Sequence, residues 1–125
     1  MKETISASIY PQCPIRNVLA RISDKWSLLV LYALSQASPL RFVELRHQIG
    51  DATSKMLASA LHTLEEDGFI SRTAYAEIPP RVEYALTIRG KDLLEKLQPL
   101  IEWSNEHMEE ILRERMAKAK PRSVI

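Results

Sequence analysis

The sequence predicts a mainly α-helical chain with one small antiparallel β-hairpin, and three observations carry this prediction. Apolar residues recur at helical spacing in five segments of the chain. Between the fourth and fifth segments, over residues 70–87, the period falls to two, which is typical of strands. Pro79 and Pro80 interrupt that stretch, and because proline donates no ladder hydrogen bond the pair marks the tip of a hairpin.

Length and composition fit one globular domain, since 46% of the 125 residues are hydrophobic and 26% are charged. The longest apolar run covers residues 28–34, whereas a membrane helix needs about 20 apolar residues, so neither a membrane span nor a secretory leader is expected. One cysteine fits a reducing compartment, and we expect a cytoplasmic protein. The net charge of +1 leaves nucleic acid open as a partner, because a neutral protein can be basic on one face.

Several classes of site are not expected. The histidines and the cysteine lack metal-ligand spacing, and the separated glycines make no phosphate-binding loop, so we expect no metal and no cofactor. The motifs Gly-x-Ser-x-Gly and His-Glu-x-x-His are absent from the sequence, and we do not expect an enzyme. One cluster on the last helix fits a solvated charged face better than a metal site. Its members are Glu102, Glu106, His107 and Glu110.

The first helices are predicted from local signals. Residues 1–12 lack periodicity and are expected to form a flexible arm. Pro14 suits the first turn of a helix, where no backbone N–H is needed, so the first helix is predicted to begin there. Ser23 or Asp24 can cap a second helix over about residues 25–35. That helix is apolar on nearly all sides, which predicts that it is the buried centre of the domain.

Two further helices are predicted at about residues 41–49 and 53–67, each ending near a glycine. Thr53 or Ser54 can cap the second of them. A short helix, a turn and another helix followed at once by a hairpin have the order of a winged helix-turn-helix.

The strands are predicted at residues 70–75 and 82–87, and Thr87 can cap the fifth helix. Pro99 is expected to kink that helix or to restart it near Gln98. The predicted segments are an arm at 1–12, a winged helix-turn-helix DNA-binding domain at 13–90, a C-terminal dimerisation helix at 91–118 and a basic tail at 119–125.

The fourth helix is the candidate recognition helix, because burying its apolar side leaves a small, polar face that is free of acid until Glu65. Small side chains let a helix approach the major groove, and lysine, histidine, serine and threonine can bond phosphates or base edges. Arg72 and Arg81 flank the hairpin tip and can straddle the DNA backbone near the minor groove. The alternative is a solvated amphipathic helix of a generic bundle. The candidate DNA-contacting residues are Arg41, Thr53, Ser54, Lys55, Ser59, His62, Thr63, Arg72 and Arg81.

Seven stretches are distinctive when they are taken together. They are Cys13-Pro14-Ile15, Asp24-Lys25-Trp26, Arg41-Phe42-Val43-Glu44-Leu45, Ser54-Lys55-Met56-Leu57, Leu64-Glu65-Glu66-Asp67-Gly68-Phe69-Ile70, Pro79-Pro80-Arg81-Val82-Glu83-Tyr84 and Leu86-Thr87-Ile88-Arg89-Gly90. In order and spacing they resemble the HxlR-type family of bacterial winged helix-turn-helix transcriptional regulators, in the MarR-like superfamily. The resemblance implies a homodimer that binds a palindromic operator and regulates a nearby gene. It also implies that an oxidant or electrophile can act through Cys13, as in some relatives.

The chain departs from the family pattern in three places. Ser23-Asp24 stands where Gly-Gly is usual, and Ala52-Thr53 stands where Ile-Ser is usual, with threonine still able to cap. His62 stands where arginine is most common, which removes a permanent charge and a bidentate fork. This last departure bears on the base sequence that is recognised.

The last helix carries apolar residues in alternating steps of three and four, which predicts a seam between paired helices. Ser104 and Arg115 interrupt the seam, and an internal packing face is the alternative. The candidate dimer-interface residues are Ile15, Leu94, Leu97, Ile101, Trp103, Met108 and Ile111.

Two candidates have a structural alternative of their own. Cys13 is either a redox-sensing thiol, activated by its place at a helix N-terminus, or a small buried hydrophobe. Arg81 either contacts DNA or pairs with Glu77 or Glu83.

The predicted function is a homodimeric, sequence-specific transcriptional regulator, a repressor or an activator, whose partners are double-stranded DNA and a second copy of the chain. Residues 53–67 would enter the major groove and the wing at 72–81 would lie on the backbone or minor groove, with half-sites about one helical turn (34–36 Å) or a multiple apart. A response to an oxidant, an electrophile or an unknown small-molecule effector stays open. The alternative is a winged-helix adaptor that binds proteins and not DNA.

Overall fold

The computed structural model describes residues 13–119, so the predicted arm at 1–12 and the tail beyond residue 119 lie outside the described residues. The elements are α1 (Pro14–Ile22), α2 (Ser27–Gln36), α3 (Phe42–Ile49), α4 (Ser54–Glu66), β1 (Ile70–Tyr75), β2 (Arg81–Leu86) and α5 (Ile88–Lys118). β1 and β2 form a two-stranded antiparallel sheet. With α3 and α4 as the helix pair and the hairpin as the wing, the predicted winged helix-turn-helix is confirmed.

The start of α2 is set by Asp24. One oxygen of its carboxylate, Oδ2, accepts hydrogen bonds from the backbone N–H groups of Trp26 at 3.1 Å and Ser27 at 3.0 Å. Those amides would otherwise lack partners at the helix start. Ser23, the other predicted cap, instead ends α1, where its N–H donates to the carbonyl of Leu19. As a result α2 begins two residues later than predicted.

The hydrophobic core of the residues before α5 centres on α2, against which α3, α4 and β2 pack. Val30, Leu31 and Leu34 are fully buried there. The prediction that α2 is the buried centre is confirmed, although Leu29 and Tyr32 are 45% and 37% exposed and one side of the helix is open. The reason is that the neighbouring elements cover α2 only where they pack, and apolar composition alone does not say which side that is.

Local side-chain caps position both helices of the helix-turn-helix. Glu44 Oε1 accepts a hydrogen bond from the backbone N–H of Arg41 at 2.8 Å, just before α3. Thr53 Oγ1 accepts one from the backbone N–H of Met56 at 3.1 Å, so Thr53 is the cap of α4. The turn between the helices includes Gly50, whose φ of 85° favours glycine. The buried residues of α4 are Leu57, Ala60, Leu61 and Leu64, as its apolar spacing predicts.

The wing is joined to the helix-turn-helix at two places. Backbone hydrogen bonds between Leu40 and Tyr84, at 2.9 and 2.8 Å, tie β2 to the segment before α3. Thr87 Oγ1 donates to the carbonyl of Gly68 at 2.6 Å and accepts from the N–H of Gly90 at 3.1 Å. The predicted cap of the fifth helix is therefore confirmed, and it also fixes the end of the wing against the residues after α4.

Gly90 makes a close backbone approach in the first turn of α5. A Cβ atom at this position would overlap the backbone carbonyl oxygen of Phe69 and would lie 3.1 Å from Cδ2 of Leu86. Glycine is therefore required by space rather than by its dihedral angles.

The helix α5 continues through Pro99, so the predicted restart near Gln98 is wrong. Proline removes one backbone hydrogen bond, but the remaining bonds of a 31-residue helix hold on both sides of it. The chain divides into two compact units, and the boundary along the sequence falls between Asp92 and Leu93. The sequence places this boundary two residues earlier, and the separate roles of the two units stay predictions.

Candidate nucleic-acid interface

The solvent-facing side of α4 is the candidate recognition surface. This surface, the α4 polar face, consists of Ser54, Lys55, Ser59, His62 and Thr63; the first four are exposed and Thr63 is half-buried. No acidic residue occurs between the first and the last of these positions. A phosphate backbone laid along the face would therefore meet no carboxylate from this part of α4.

Positive potential is concentrated at the beginning of α4. The N-terminus of a helix carries the positive end of the helix dipole, which favours anions. Lys55 lies in this first turn, is exposed, and makes no ion pair with any residue between 13 and 119. Its charge is thus available to an external anion.

His62 is oriented towards an acidic neighbour. Its Nε2 lies 3.4 Å from Oε2 of Glu66, one helical turn later. Both side chains are more than three-fifths exposed, and such surface pairs contribute little to stability. A contact between His62 and a base would therefore compete only with the weak His62–Glu66 pair. The base contact stays a prediction.

The two arginines of the wing have different surroundings. Arg72 on β1 is exposed and makes no ion pair within the described part of the chain. Arg81 lies 2.9 Å from Glu77 and 3.7 Å from Glu83, and its guanidinium stacks on the ring of Tyr75 at 4.1 Å. This arrangement matches the structural alternative for Arg81, whereas its contact with DNA stays a prediction.

We expect Arg81→Ala to lower the melting temperature by several degrees, because it removes two ion pairs and a ring contact from the wing at once. Operator affinity is expected to change less than two-fold, which thermal unfolding and fluorescence anisotropy together would measure. Arg72→Ala is the matched control on the opposite strand, and it should reverse the pattern. A large loss of affinity in Arg81→Ala without any loss of stability would assign Arg81 to DNA contact.

Two basic residues near the interface escaped the sequence analysis. Arg46 and His47 lie in the last turn of α3 and line an open groove of about 580 Å³ that extends to Ser54 at the start of α4. Both are exposed. The sequence pattern that could have indicated them is a pair of adjacent basic residues in the last turn before Gly50. Basic residues are common there in any helix, because they interact favourably with the negative end of the helix dipole.

Arg41 and Thr53 stand at the beginnings of the two helices. The backbone N–H of Arg41 donates a hydrogen bond to Glu44. Arg41 is exposed, and its guanidinium makes no ion pair among the described residues. Thr53 uses its hydroxyl as an acceptor for the N–H of Met56. The cap role of Thr53 is thus shown, and phosphate contact by either residue stays a prediction.

Cys13 is buried at the start of α1, where it is 1% exposed. Its carbonyl accepts a hydrogen bond from the N–H of Asn17 at 3.1 Å. The burial matches the alternative of a small hydrophobe, because a thiol must be reached by a reagent before it reacts. The sensor role stays a prediction.

The candidate interface between copies divides into buried and exposed positions. Leu94 is buried and Leu97 and Ile101 are half-buried, whereas Ile15 on α1 is 54% exposed. Further along α5 an apolar surface is open in the single chain. This α5 apolar surface consists of Leu100, Trp103, Met108, Ile111, Leu112 and Met116, each at least 39% exposed.

Within residues 13–119 no group of three or more metal-ligating side chains comes together. None of the described helices combines the length and the apolar character that a membrane crossing needs.

Comparisons with known proteins agree with the geometry. The family model of the HxlR-like helix-turn-helix matches residues 21–112. The HTH-type transcriptional regulator YtfH of Escherichia coli is 44% identical over 101 residues, which cover 81% of this chain and 79% of that protein. The solved structure of the transcriptional regulator ytfH from Salmonella typhimurium has 36% identity and a TM-score of 0.77, covering 92% of this chain and 99% of that one.

A second similar solved structure is that of the redox regulator HypR in its oxidized form. It is 34% identical, covers 76% of this chain and 97% of that one, and has a TM-score of 0.70. The helix pair, the wing and the matched length together lead to one assignment. The chain belongs to the HxlR-like helix-turn-helix family of transcriptional regulators.

Proposed function

We propose that the chain is a homodimeric, sequence-specific DNA-binding regulator that reads a palindromic operator with α4 in the major groove. The observation that carries the proposal is the α4 polar face, which is exposed, free of acid and presented by a helix capped at Thr53. Small side chains such as Ser54 and Ser59 allow a close approach to base edges, and Lys55 adds a phosphate contact.

The wing supports the same placement. It is fixed to the helix-turn-helix through Leu40 and Thr87, so its position follows that of α4. With α4 in the major groove, the hairpin reaches the adjacent backbone or minor groove, where Arg72, which makes no ion pair among residues 13–119, supplies a cation. Because the ligand proposed here is chromosomal DNA, the site of action is the cytoplasm of a bacterium.

A second copy of the chain is the partner proposed for α5. Six large apolar residues of this one helix are exposed in the single chain, and exposed apolar patches mark interaction sites. Two recognition helices related by a two-fold axis would meet half-sites about one helical turn, or a multiple of it, apart. This symmetry is the reason for expecting a palindrome.

The direct test is a titration of the purified protein against DNA from the region upstream of its own gene, at two salt concentrations. A sequence-specific shift that weakens with salt is expected, because phosphate contacts release counterions. A partner that binds irrespective of salt, with no shift on any DNA, would favour the adaptor alternative.

Lys55→Ala is expected to weaken binding on all DNA sequences alike. Loss of one phosphate contact should reduce the magnitude of the log–log salt slope by about 0.9. Fluorescence anisotropy at four or more salt concentrations measures this slope. Lys118→Ala, at the far end of α5, is the matched control, and an unchanged slope in Lys55→Ala would reject the phosphate contact.

A response of Cys13 to oxidants is opposed by its burial, and we expect its alkylation to be at least about ten times slower in the native protein than in the unfolded chain. The rate with iodoacetamide at neutral pH, followed by intact mass, measures this. A native rate above that of the unfolded chain would show an activated thiol and would support the redox response.

A further inference from the structure

The C-terminal end of α4 carries acidic residues where a helix usually carries basic ones. Glu65, Glu66 and Asp67 follow one another there, and the last turn of the helix contains no basic residue. The C-terminus is the negative end of a helix dipole, so carboxylates at this end are unfavourable. Cations that offset this charge therefore have to come from other elements.

Two arginines from other elements meet Asp67, the residue that ends α4. Nε of Arg21, in the last turn of α1, lies 3.5 Å from Oδ1 of its carboxylate. Nη1 of Arg89, in the first turn of α5, donates a hydrogen bond to its backbone carbonyl at 2.8 Å. These three residues, here named the Asp67 junction, join the end of α4 to α1 and to the start of α5.

The residue after Asp67 leaves room for this arrangement. A Cβ atom at Gly68 would approach Nη1 of Arg89 to 2.6 Å, so the guanidinium lies directly against the glycine. The carbonyl of Gly68 accepts the hydrogen bond of Thr87 Oγ1 at 2.6 Å. Side chains from the beginning of α5 therefore hold two successive carbonyl groups at the end of α4.

The Asp67 junction is poorly suited to stabilising the fold. Oδ2 of Asp67 is buried and makes no hydrogen bond with any residue of the described chain, and an unpaired buried polar atom is destabilising. The ion pair adds little in return, because the side chain of Arg21 is 45% exposed. An acid kept in such a place indicates a role other than stability.

The Asp67 junction connects α4 with the two helices proposed to contact a second copy of the chain. Ile15 and Leu19 of α1 are 54% and 52% exposed, and α5 continues into the α5 apolar surface. Elsewhere α4 packs mainly on α2 and β1, which belong to the body of the winged helix-turn-helix. The Asp67 junction is therefore a direct link between the recognition helix and the helices that would set the two-fold axis.

A helix held at one end moves most at the other end. α4 has 13 residues and is therefore about 20 Å long. A tilt of about 10° about Asp67 would move the beginning of α4, where Lys55 lies, by about 3 Å. This displacement is close to the rise of about 3.4 Å between successive base pairs. A small change at the Asp67 junction thus corresponds to a shift of one base pair at the α4 polar face.

We propose that the Asp67 junction positions α4 relative to α1 and the start of α5, and thereby sets the spacing between operator half-sites that a dimer accepts. Its three residues are positioning residues, because they act through α4 and not through contact with DNA. The inference rests on the proposed function, since it assumes a dimer whose α4 helices bind DNA. Base contacts remain with the α4 polar face.

The first test measures the preference for half-site spacing. Duplexes carry the half-sites of the upstream operator at their native separation, or one base pair closer or further apart. The wild type is expected to bind the native spacing at least about ten times more tightly than the other two, comparable to the effect of one mismatched base pair. Asp67→Asn removes the ion pair with little change in shape, and it should reduce the preference to about two-fold.

Further variants show whether the effect belongs to the ion pair. Arg21→Gln should reduce the spacing preference as Asp67→Asn does, and the double variant should reduce it no further, because residues that act through one contact are not additive. Glu66→Gln is the matched control, since it removes a carboxylate from the same end of α4 that pairs with His62 and not with Arg21. It should keep the preference of the wild type.

Thermal unfolding separates positioning from a structural role. The melting temperature of Asp67→Asn is expected to stay within about 2 °C of the wild type. The reason is that loss of a partly exposed ion pair is offset by removal of a carboxylate from the negative end of the helix dipole. A fall of several degrees with an unchanged spacing preference would show that the Asp67 junction only stabilises the fold.

Pulsed electron–electron double resonance measures the distance between the two α4 helices of a dimer without DNA. With a spin label at Ser59→Cys in a Cys13→Ala background, Asp67→Asn is expected to broaden the distance distribution by about 2 Å, and Glu66→Gln is not. An unchanged distribution and spacing preference in Asp67→Asn would overturn this inference and leave the proposed function intact. A wild type without operator binding, or without an α4–α4 distance, would overturn the proposed function and this inference with it.

Discussion

Replacing Ile111 by glutamate is expected to convert the proposed dimer into a monomer and to lower operator affinity at least about 100-fold. Ile111 is 39% exposed in the single chain and lies on the α5 apolar surface, so the change leaves the fold of one copy intact. In a dimer it would bury a carboxylate without a partner, which is strongly unfavourable. A monomer binds one half-site at a time. It therefore loses the increase in affinity that a dimer obtains when its two recognition helices bind both half-sites together.

Sedimentation velocity and fluorescence anisotropy on one preparation would check both parts of this expectation. Arg113→Glu is the matched control, because it introduces the same side chain two residues away, on the other side of α5. It should stay dimeric with near-normal affinity for a long operator. An Ile111→Glu protein that remains dimeric and binds fully would remove α5 from the proposed interface.

Gly90→Ala is expected to lower the free energy of unfolding by about 3 kcal/mol, at the upper end of ordinary overpacking. A methyl group there would overlap the carbonyl oxygen of Phe69, which belongs to the backbone and cannot rotate away. The strain would fall at the junction of α4, the wing and α5, next to the hydrogen bonds of Thr87. Urea unfolding followed by circular dichroism measures the loss.

Gly50→Ala is the matched control for this prediction. Its Cβ would meet no atom within 4 Å, so its cost, about 1–3 kcal/mol, comes only from the backbone conformation at φ 85° and ψ −59°. A cost of Gly90→Ala below about 1 kcal/mol would show that the backbone moves apart at Phe69 and that the close approach is not required.

Much of the fold could be predicted from signals that act over three or four residues. Pro14 at the first turn, the hydroxyl of Thr53 and that of Thr87 each begin a helix where the sequence places it. Pro79 and Pro80 confine the hairpin tip in the same local way. Such signals depend on geometry within one turn of the chain, and the surroundings do not alter them.

Two outcomes could not be predicted from residue type alone. Leu29 and Tyr32 are as apolar or aromatic as the buried residues of α2, yet the side of α2 that they occupy is left open. Pro99 was expected to kink or restart a helix that in fact runs through it. In both cases the outcome is decided by what packs nearby or by the bonds on either side, not by residue type.

The candidate site shows the same division. The α4 polar face follows directly from the 3.6-residue period, since the burial of Leu57, Leu61 and Leu64 determines which side chains remain outside. The engagement of Arg81 by three wing residues needs the register of β1 and β2, which pairs Tyr75 with Arg81.

The sequence by itself therefore determined the order of elements, the starts of α1, α4 and α5, and the family, because caps, turns and periodicity are local. Only the tertiary structure decided that Cys13 is buried and that Arg81 is engaged by Glu77 and Glu83, whereas Lys55 makes no ion pair among residues 13–119. Burial and pairing are properties of the space between elements. They depend on contacts across long stretches of chain that no local pattern encodes.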